Sequence, residues 1–259
     1  MIKPVLHYFN LADEVVSFST TRHGGVSKGK LATLNINPHR GDEPSAVAEN
    51  LQAVAAEIGV QADKVIRLHQ IHETHCLTVT DAFFNLSSAE QYEMEEGKDA
   101  VVTDCRNVCI GVHTADCVPV LFYDPVHHAI GAAHAGWRGT VQRIAQHTLR
   151  KMTELYGTDP KELKAVVGPC ISLKNFEVGQ EVYDAFSAAG FPMERIARMY
   201  EKWHINLPLC NQLQLEELGV PIANIIQSGI CTYDNASDFF SARILKEGFG
   251  TIYTGIALK

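Results

Sequence analysis

His134 and Cys117 are the residues whose types and surroundings point most directly to chemistry. His134 lies in Gly131-Ala-Ala-His-Ala-Gly-Trp-Arg-Gly139, and Cys117 lies 17 residues earlier in Thr114-Ala-Asp-Cys-Val-Pro119. A thiolate and an imidazole held in stiff, small-residue surroundings can bind a transition metal or form a Cys/His catalytic pair. Either residue alone is more often structural, but both fall at the ends of apolar, strand-like runs, where functional sites are usually built.

A third ligand must come from elsewhere, because catalytic zinc commonly takes three protein ligands and leaves the fourth position open. The segment Leu68-His-Gln-Ile-His-Glu-Thr-His75 supplies three of the twelve histidines in the chain. If it is a strand end, its alternation puts His69 and Gln70 on opposite faces, with His72 facing as Gln70 does. The pattern alone does not choose among His69, His72 and His75, and a histidine-rich strand without a metal role is the alternative.

Three arginines beside glycines or aromatic residues are candidates for an anion site. Arg138 follows Gly136 and precedes a helical pattern, so a guanidinium and free backbone N–H groups meet there. Arg22 lies in Arg22-His-Gly-Gly-Val-Ser27 after a predicted strand, and Arg243 ends Phe239-Phe-Ser-Ala-Arg243. The alternative in each case is a turn or surface position with a solvated arginine.

The elements that must position these residues arrive as runs of strands with helices bunched between them. The pattern predicts strands over 14–20, 64–69, 76–80, 99–103, 108–114, 118–123, 129–133, 164–168, 223–229 and 251–258, and helices over 44–59, 138–156, 178–189 and 207–218. This order favours an α+β fold of mixed β-sheet layers flanked by helices over a doubly wound fold. No linker or internal repeat marks a boundary, which predicts a single compact domain over 1–259.

Composition narrows the class of partner. The net charge of −8 argues against nucleic acid or an anionic membrane as a partner, since both require a basic surface. No secretory leader pattern is present, and no apolar run approaches the ~18 residues that span a bilayer, so we expect a soluble, cytoplasmic protein. Seven cysteines without a framework spacing are typical of reduced thiols.

A series of motifs in fixed order spans nearly the whole chain. They are Thr20-Thr-Arg-His-Gly-Gly-Val-Ser27, Gln70-Ile-His72, Asp99-Ala-Val-Val-Thr103, Thr114-Ala-Asp-Cys-Val-Pro119, Ala132-Ala-His-Ala-Gly-Trp-Arg-Gly139, Gly168-Pro-Cys-Ile171 and Cys231-Thr followed by Phe239-Phe-Ser-Ala-Arg243. Together they resemble the bacterial YfiH/YlmD family. Its members have been named laccase-domain proteins or multicopper polyphenol oxidases and, more recently, purine nucleoside phosphorylases.

The resemblance implies a metal and catalytic triad of His72, Cys117 and His134. It implies a purine nucleoside and phosphate as substrates. We expect zinc as the cofactor, with copper as the alternative, because the chain lacks the His-x-His pairs of multicopper oxidases. On the same basis we expect Arg22, Arg138 and Arg243 to converge on the substrate. The resemblance also implies β-sheet layers flanked by helices.

Two segments depart from the family pattern. Members usually carry Asp-Leu where this chain has Ile205-Asn-Leu207, and Thr-Gly-Arg where it has Phe249-Gly-Thr251. Loss of that arginine removes one anion contact.

Two enzyme functions follow from the resemblance. In a phosphorylase, inorganic phosphate attacks C1′ of adenosine, inosine or methylthioadenosine and the purine leaves; the same metal would also permit adenosine deamination. The alternative is a copper-dependent polyphenol oxidase (laccase). Multicopper oxidases use many His-x-His pairs, and this chain has none, which favours nucleoside chemistry. A non-catalytic metal scaffold would need a fourth protein ligand and ranks last.

Overall fold

The computed structural model describes residues 2–259. Its strands are β1 (Leu6–Tyr8), β2 (Val15–Thr20), β3 (Cys76–Thr78), β4 (Ala100–Thr103), β5 (Cys109–Thr114), β6 (Val118–Asp124), β7 (Ala129–Ala135), β8 (Lys164–Val167), β9 (Glu177–Val178), β10 (Ala197–Met199), β11 (Trp203–Ile205), β12 (Ile225–Gln227) and β13 (Ile252–Leu258). Its helices are α1 (Pro44–Ile58), α2 (Ser88–Glu95), α3 (Trp137–Val141), α4 (Ile144–Tyr156), α5 (Gln180–Ala188), α6 (Met193–Ile196), α7 (Leu207–Glu217) and α8 (Ala242–Leu245).

The strands form three sheets. The largest has the order β12-β8-β6-β7-β4-β3, antiparallel in its centre and parallel in the pairs at its two edges. A second, antiparallel sheet has the order β1-β2-β13-β5, and a small third sheet has the order β10-β11-β9. The predicted α+β arrangement of mixed β-sheet layers with flanking helices is confirmed.

The six-stranded sheet is covered on both faces, which explains the continuous apolar runs of its central strands. On β6, Val120 and Phe122 belong to the core cluster that includes the apolar residues of α4, whereas Leu121 and Tyr123 face the cluster shared with β5 and β13. Successive strand residues point to opposite faces, so one strand serves both cores. The molecule is therefore layered as helices, six-stranded sheet and four-stranded sheet.

This layering brings the predicted site residues to one end of the sheets. Pro119 on β6 pairs with His134 on β7, so the turn that carries Cys117 lies beside the end of β7. His134 lies on the same face of β7 as Ile130 and Ala132, which face the four-stranded sheet. Its side chain therefore points toward the sheet whose strand β5 leads into Cys117.

The local structure differs from the sequence prediction in a few places. The predicted helix 138–156 is two helices, because Arg143 adopts a left-handed backbone conformation with φ of 65° between α3 and α4. That residue is held by long-range contacts, donating to Glu217 Oε2 at 3.0 Å and to the Ala189 carbonyl at 2.9 Å. The predicted strand 64–69 is not a strand, since it makes only two isolated bridges, Val65 to Cys109 and His69 to Glu96. The pattern also missed β1, α2 and the sheet β10-β11-β9.

No helix within residues 2–259 is both long enough and apolar enough to cross a bilayer.

Candidate active site

His72, Cys117 and His134 meet at the ends of the two large sheets. Their ligand atoms all lie within 4.8 Å of one another, and the two imidazole rings meet edge to face with centroids 4.7 Å apart. The sequence pattern left His69, His72 and His75 open, and the structure brings His72 to the pair. His69 instead bonds Glu96 at 2.6 Å, and His75 lies 3.5 Å from Glu73.

Asp99 holds two members of this cluster at once. Its Oδ1 accepts the His134 Nδ1–H at 2.7 Å and the His72 backbone N–H at 3.0 Å, while Oδ2 accepts the N–H groups of Ile71 and Glu73 at 3.1 and 2.9 Å. Burial opposes ionisation of this carboxyl, but the His134 imidazole and the backbone donors lower its pKa. Because Nδ1 of His134 is committed to Asp99, Nε2 is the nitrogen left to face Cys117.

The loop carrying His72 is held in an unusual conformation. His72 has a φ of 67°, in the left-handed region that few non-glycine residues adopt. Such a conformation costs of order 1–3 kcal/mol and persists only where its surroundings fix it. The three consecutive N–H groups bound by Asp99 supply that restraint. Gln70 adds another by exchanging two hydrogen bonds, at 2.7 and 2.8 Å, with the backbone of His113 on β5.

The turn carrying Cys117 is fixed by a second buried carboxylate. Asp116 has a φ of 82°, and its side chain accepts Thr232 Oγ1–H at 2.7 Å, Ser241 Oγ–H at 3.0 Å and the Arg243 backbone N–H at 2.7 Å. The motifs that contain Thr232, Ser241 and Arg243 therefore fix the turn that carries Cys117, although they lie more than a hundred residues later in the sequence. Their separation in the chain gives no hint of this contact.

Electrostatics favour the ionised form of the thiol. Burial opposes it, but the adjacent His134 and His72 imidazoles outweigh burial and lower the pKa of Cys117 to about 6. Burial likewise opposes a charge on His134, and the Cys117 thiolate and Asp99 outweigh it and raise the pKa of His134. One soft sulfur and two imidazole nitrogens are a donor set that fits zinc or copper. Of the three residues that would hold such an ion, His72 is exposed and His134 is buried.

The lack of a side chain at Gly136 leaves room for the His72–Cys117–His134 cluster. A Cβ at this position would lie 3.1 Å from Cys117 Sγ and 3.1 Å from His72 Cδ2, closer than nearly all real contacts. The φ of Gly136 is −63°, which any residue can adopt, so the position requires glycine for close approach and not for its conformational freedom. The glycine of the Ala-Gly-Trp motif thus lets the backbone pass beside the thiol.

A cavity of about 250 Å³ opens over the three residues. Its lining carries no acidic side chain among the described residues, although the chain as a whole is acidic. The lining residues are Asn37, His39, Arg40, Leu68, His69, Gln70, His72, His113, Thr114, Ala115, Cys117, His134, Ala242, Phe249 and Thr251. Sequence reasoning missed Asn37, His39, Arg40 and His113, none of which carries a local signal of function.

The structure does not bring the three predicted arginines together in this cavity. Arg22 donates to the carbonyls of Ala32 and Ala236, and Arg243 donates through both terminal nitrogens to the Glu177 carbonyl. Arg138 is exposed and lies over its neighbour Trp137. Arg22 and Arg243 thus use their donors on the protein itself, and the guanidinium in the cavity belongs to Arg40.

The structure shows what the residues contact in the two segments that depart from the family pattern. Asn206 caps α7 by accepting the Leu209 N–H at 3.1 Å, a function that Asp and Asn serve about equally well. Thr251 lines the cavity and hydrogen-bonds to Asn37 and His113. The cavity therefore keeps a guanidinium, from Arg40, despite the missing arginine at 251.

Comparison with known proteins identifies the family. Residues 16–259 match the family model described as multi-copper polyphenol oxidoreductase laccase. The chain belongs to this family. It is 41% identical to a purine nucleoside phosphorylase of Bacteroides thetaiotaomicron, over 99% of this chain and 97% of that protein. It is also 35% identical to adenosine deaminase RL5 of an unknown prokaryotic organism, over 98% of both chains.

A solved structure shares the whole fold. The crystal structure of the hypothetical protein YfiH of Bacillus licheniformis matches with a TM-score of 0.91 at 31% identity, covering 99% of this chain and 97% of that one. The resemblance to the YfiH/YlmD family is confirmed.

Proposed function

We propose that this protein is a purine nucleoside phosphorylase that uses His72, Cys117 and His134 to hold a metal ion, zinc in preference to copper. The observation that carries the proposal is the shared cavity, in which a His2Cys donor set lies beside a lining that offers hydrogen-bond donors and no acid. Such a lining favours an anionic substrate. The name of the Bacteroides thetaiotaomicron relative supports the same activity.

The proposed reaction exchanges one bond at C1′ of the ribose. A phosphate oxygen forms a bond to C1′ as the bond from C1′ to the purine nitrogen breaks, and the purine leaves with the bonding electrons and takes up a proton. When bound, the metal supplies a Lewis acid. The residues of this chain supply the rest: Asp99 orients His72 and His134, and the polar lining binds and orients phosphate. Adenosine, inosine and methylthioadenosine are the proposed nucleosides.

Adenosine deamination is a second candidate activity. It is favoured by the similarity to adenosine deaminase RL5 and by the exposure of His72 in the donor set. Here water replaces the 6-amino group, giving inosine and ammonia. The two activities differ in their need for phosphate, so one preparation can be assayed for both.

Copper-dependent phenol oxidation is less well supported. The family description suggests it, and a given donor set binds copper more tightly than zinc. However, His72, Cys117 and His134 form the sole cluster of three or more such donors within residues 2–259. One cluster of this kind serves one metal ion, whereas multicopper oxidases need several.

The deciding experiment measures metal content and phosphate dependence on one preparation purified without added metal. We expect bound zinc, and release of purine from adenosine and inosine that requires phosphate and yields ribose 1-phosphate. Equal purine release with and without phosphate would contradict phosphorolysis and indicate a hydrolase.

A Cys117→Ala variant should be folded, depleted of metal and inactive. A Cys117→Ser variant that keeps its metal but loses all turnover would assign Cys117 as a nucleophile instead of a ligand.

A further inference from the structure

Arg40 presents an uncommitted guanidinium to the cavity. Its Nε donates to the Phe249 carbonyl at 2.9 Å, and its guanidinium carbon, Cζ, lies 4.2 Å from the centre of the Phe249 ring. These contacts fix the plane of the group but leave both terminal nitrogens without a protein acceptor within the described chain, and no carboxylate pairs with it there. A half-buried, oriented and unpaired guanidinium is suited to bidentate binding of an oxyanion.

His113 offers a second donor in the tautomer that carries its hydrogen on Nε2, and a chain of hydrogen bonds accommodates that tautomer. The Asn37 Oδ1 accepts the His39 N–H at 2.9 Å, so the Asn37 Nδ2 faces and donates to Thr251 Oγ1 at 3.2 Å. The Thr251 hydroxyl hydrogen is then free to bond His113 Nδ1 at 3.3 Å. With Nδ1 as the acceptor, the hydrogen of a neutral imidazole sits on Nε2.

That Nε2 is buried without a partner in a residue that lines the cavity. His113 is 4% exposed and lines the cavity, and its Nε2 has no hydrogen-bond partner among residues 2–259. Burial, followed by the nearby cationic groups, lowers the pKa of His113 far below its usual range, so the ring is neutral. The next residue, Thr114, likewise has a buried hydroxyl without a partner in the same lining. Buried polar groups normally find partners, and these two unpartnered atoms belong to residues that line the same cavity as Arg40, which makes them candidate contacts for a ligand.

We propose that Arg40, His113 Nε2–H and the Thr114 hydroxyl form the binding subsite for the inorganic phosphate co-substrate, next to the His72–Cys117–His134 cluster. The inference rests on the proposed function for the identity of the anion. The three residues line one cavity, all three groups can donate, and no acidic side chain among the lining residues opposes them. The 5′-phosphate of a nucleotide has the same chemistry, and the test separates the two sources.

The test compares Arg40→Gln, Arg40→Lys and a control, Arg195→Gln, which removes an exposed charge on α6. Phosphate binding is measured by calorimetry on the metal-containing protein, together with the KM for phosphate and for the nucleoside. Arg40→Gln should weaken phosphate binding roughly ten- to hundredfold, as expected for loss of one charge-assisted partner. It should leave the nucleoside KM nearly unchanged. Arg40→Lys should recover part of the loss, and Arg195→Gln should match the wild type.

A second variant tests the assigned tautomer. Thr251→Val keeps the shape of the side chain but removes the hydroxyl that bonds His113 Nδ1, so phosphate binding should weaken by a smaller factor. Nitrogen NMR of the wild type should show the His113 hydrogen on Nε2. Detection of that hydrogen on Nδ1 would remove His113 from the subsite.

The outcomes distinguish this inference from the proposed function. Phosphate-dependent nucleoside cleavage with an unchanged phosphate KM in Arg40→Gln would overturn the inference alone. Phosphate binding that is lost in Arg40→Gln, in a protein that cleaves no nucleoside, would support the subsite and contradict the phosphorylase. Absence of phosphate binding at millimolar concentration would overturn the inference. Binding of AMP without binding of inorganic phosphate would assign the subsite to a 5′-phosphate and overturn the co-substrate role.

Discussion

Asp99 and His134 are joined by a buried hydrogen bond of 2.7 Å, and the same carboxylate binds the backbone of the loop that carries His72. A second bond, from the His134 backbone N–H to the Asp99 carbonyl, is also 2.7 Å long. Two of the three proposed ligands therefore depend on one residue, which is not among the residues that line the cavity. We regard Asp99 as a positioning residue.

Replacement of Asp99 by Asn tests this dependence. One carboxylate oxygen becomes an NH2 group, which repels the N–H donors that it now faces and leaves them unsatisfied. We expect roughly a 10–100-fold loss of metal affinity, typical of groups that orient a metal ligand. Each buried donor left without an acceptor should also cost about 1–3 kcal/mol of unfolding free energy. Competition with a chelator and denaturant unfolding measure the two effects.

The control for Asp99→Asn is Asp104→Asn, which makes the same chemical change at an exposed position just after β4. It should leave metal affinity and stability at wild-type values. Wild-type metal affinity in Asp99→Asn would contradict the positioning role.

Gly136→Ala tests the close approach at the thiol. The backbone accepts alanine without strain, so the effect comes from a Cβ 3.1 Å from Cys117 Sγ and His72 Cδ2. We expect displacement of both side chains, a loss of stability of about 1–3 kcal/mol and weaker metal binding. Gly139→Ala is the matched control in the same turn, because its nearest contacts are an ordinary 3.4 Å. Equal metal affinity in the two variants would show that the cluster adapts to the added methyl group.

Much of the framework could be predicted from the sequence, because it depends on local patterns. The apolar runs of β5, β6 and β7 and the motifs around Cys117 and His134 carry their own signals. Arg40 does not, since its role depends on Phe249, 209 residues later in the chain. His113 reads as one more residue of an apolar strand, and only the packed structure shows that it lines the cavity and has an unpartnered Nε2.

The helix break at Arg143 is missing from the pattern for the same reason. The apolar periodicity continues through it, and the left-handed backbone is fixed by contacts with Glu217 and Ala189. The local sequence makes Arg22, Arg138 and Arg243 candidates for binding an anion. However, an arginine beside a glycine does not show what its guanidinium will contact.

In metal-free protein, the pH dependence of Cys117 alkylation should show the lowered pKa of this thiol. The His134 and His72 imidazoles overcome burial and lower its pKa to about 6, so the thiolate fraction rises as the pH rises through 6. An ordinary thiol has a pKa of about 8.5. The rate of alkylation at Cys117, followed by mass spectrometry, should therefore reach half its plateau near pH 6, and His134→Ala should move that midpoint upward.

Cys76 is the internal control for this experiment, because burial raises its pKa to about 12. It should stay largely unmodified over the same pH range. A Cys117 midpoint at or above pH 8.5 in the wild type would contradict the thiolate–imidazolium pair.

Metal exchange separates the two enzyme classes. Phenol oxidation must cycle copper between its two oxidation states, whereas nucleoside cleavage or deamination needs only a Lewis acid, which redox-inert zinc provides. The zinc-loaded, copper-free protein should therefore cleave adenosine or inosine and be inert toward phenols, with phenol oxidation appearing only after copper loading. Both assays are run on one preparation, and Cys117→Ala loaded in the same way reports activity that does not depend on the cluster. Phenol oxidation by the zinc form without nucleoside turnover would overturn the proposed function.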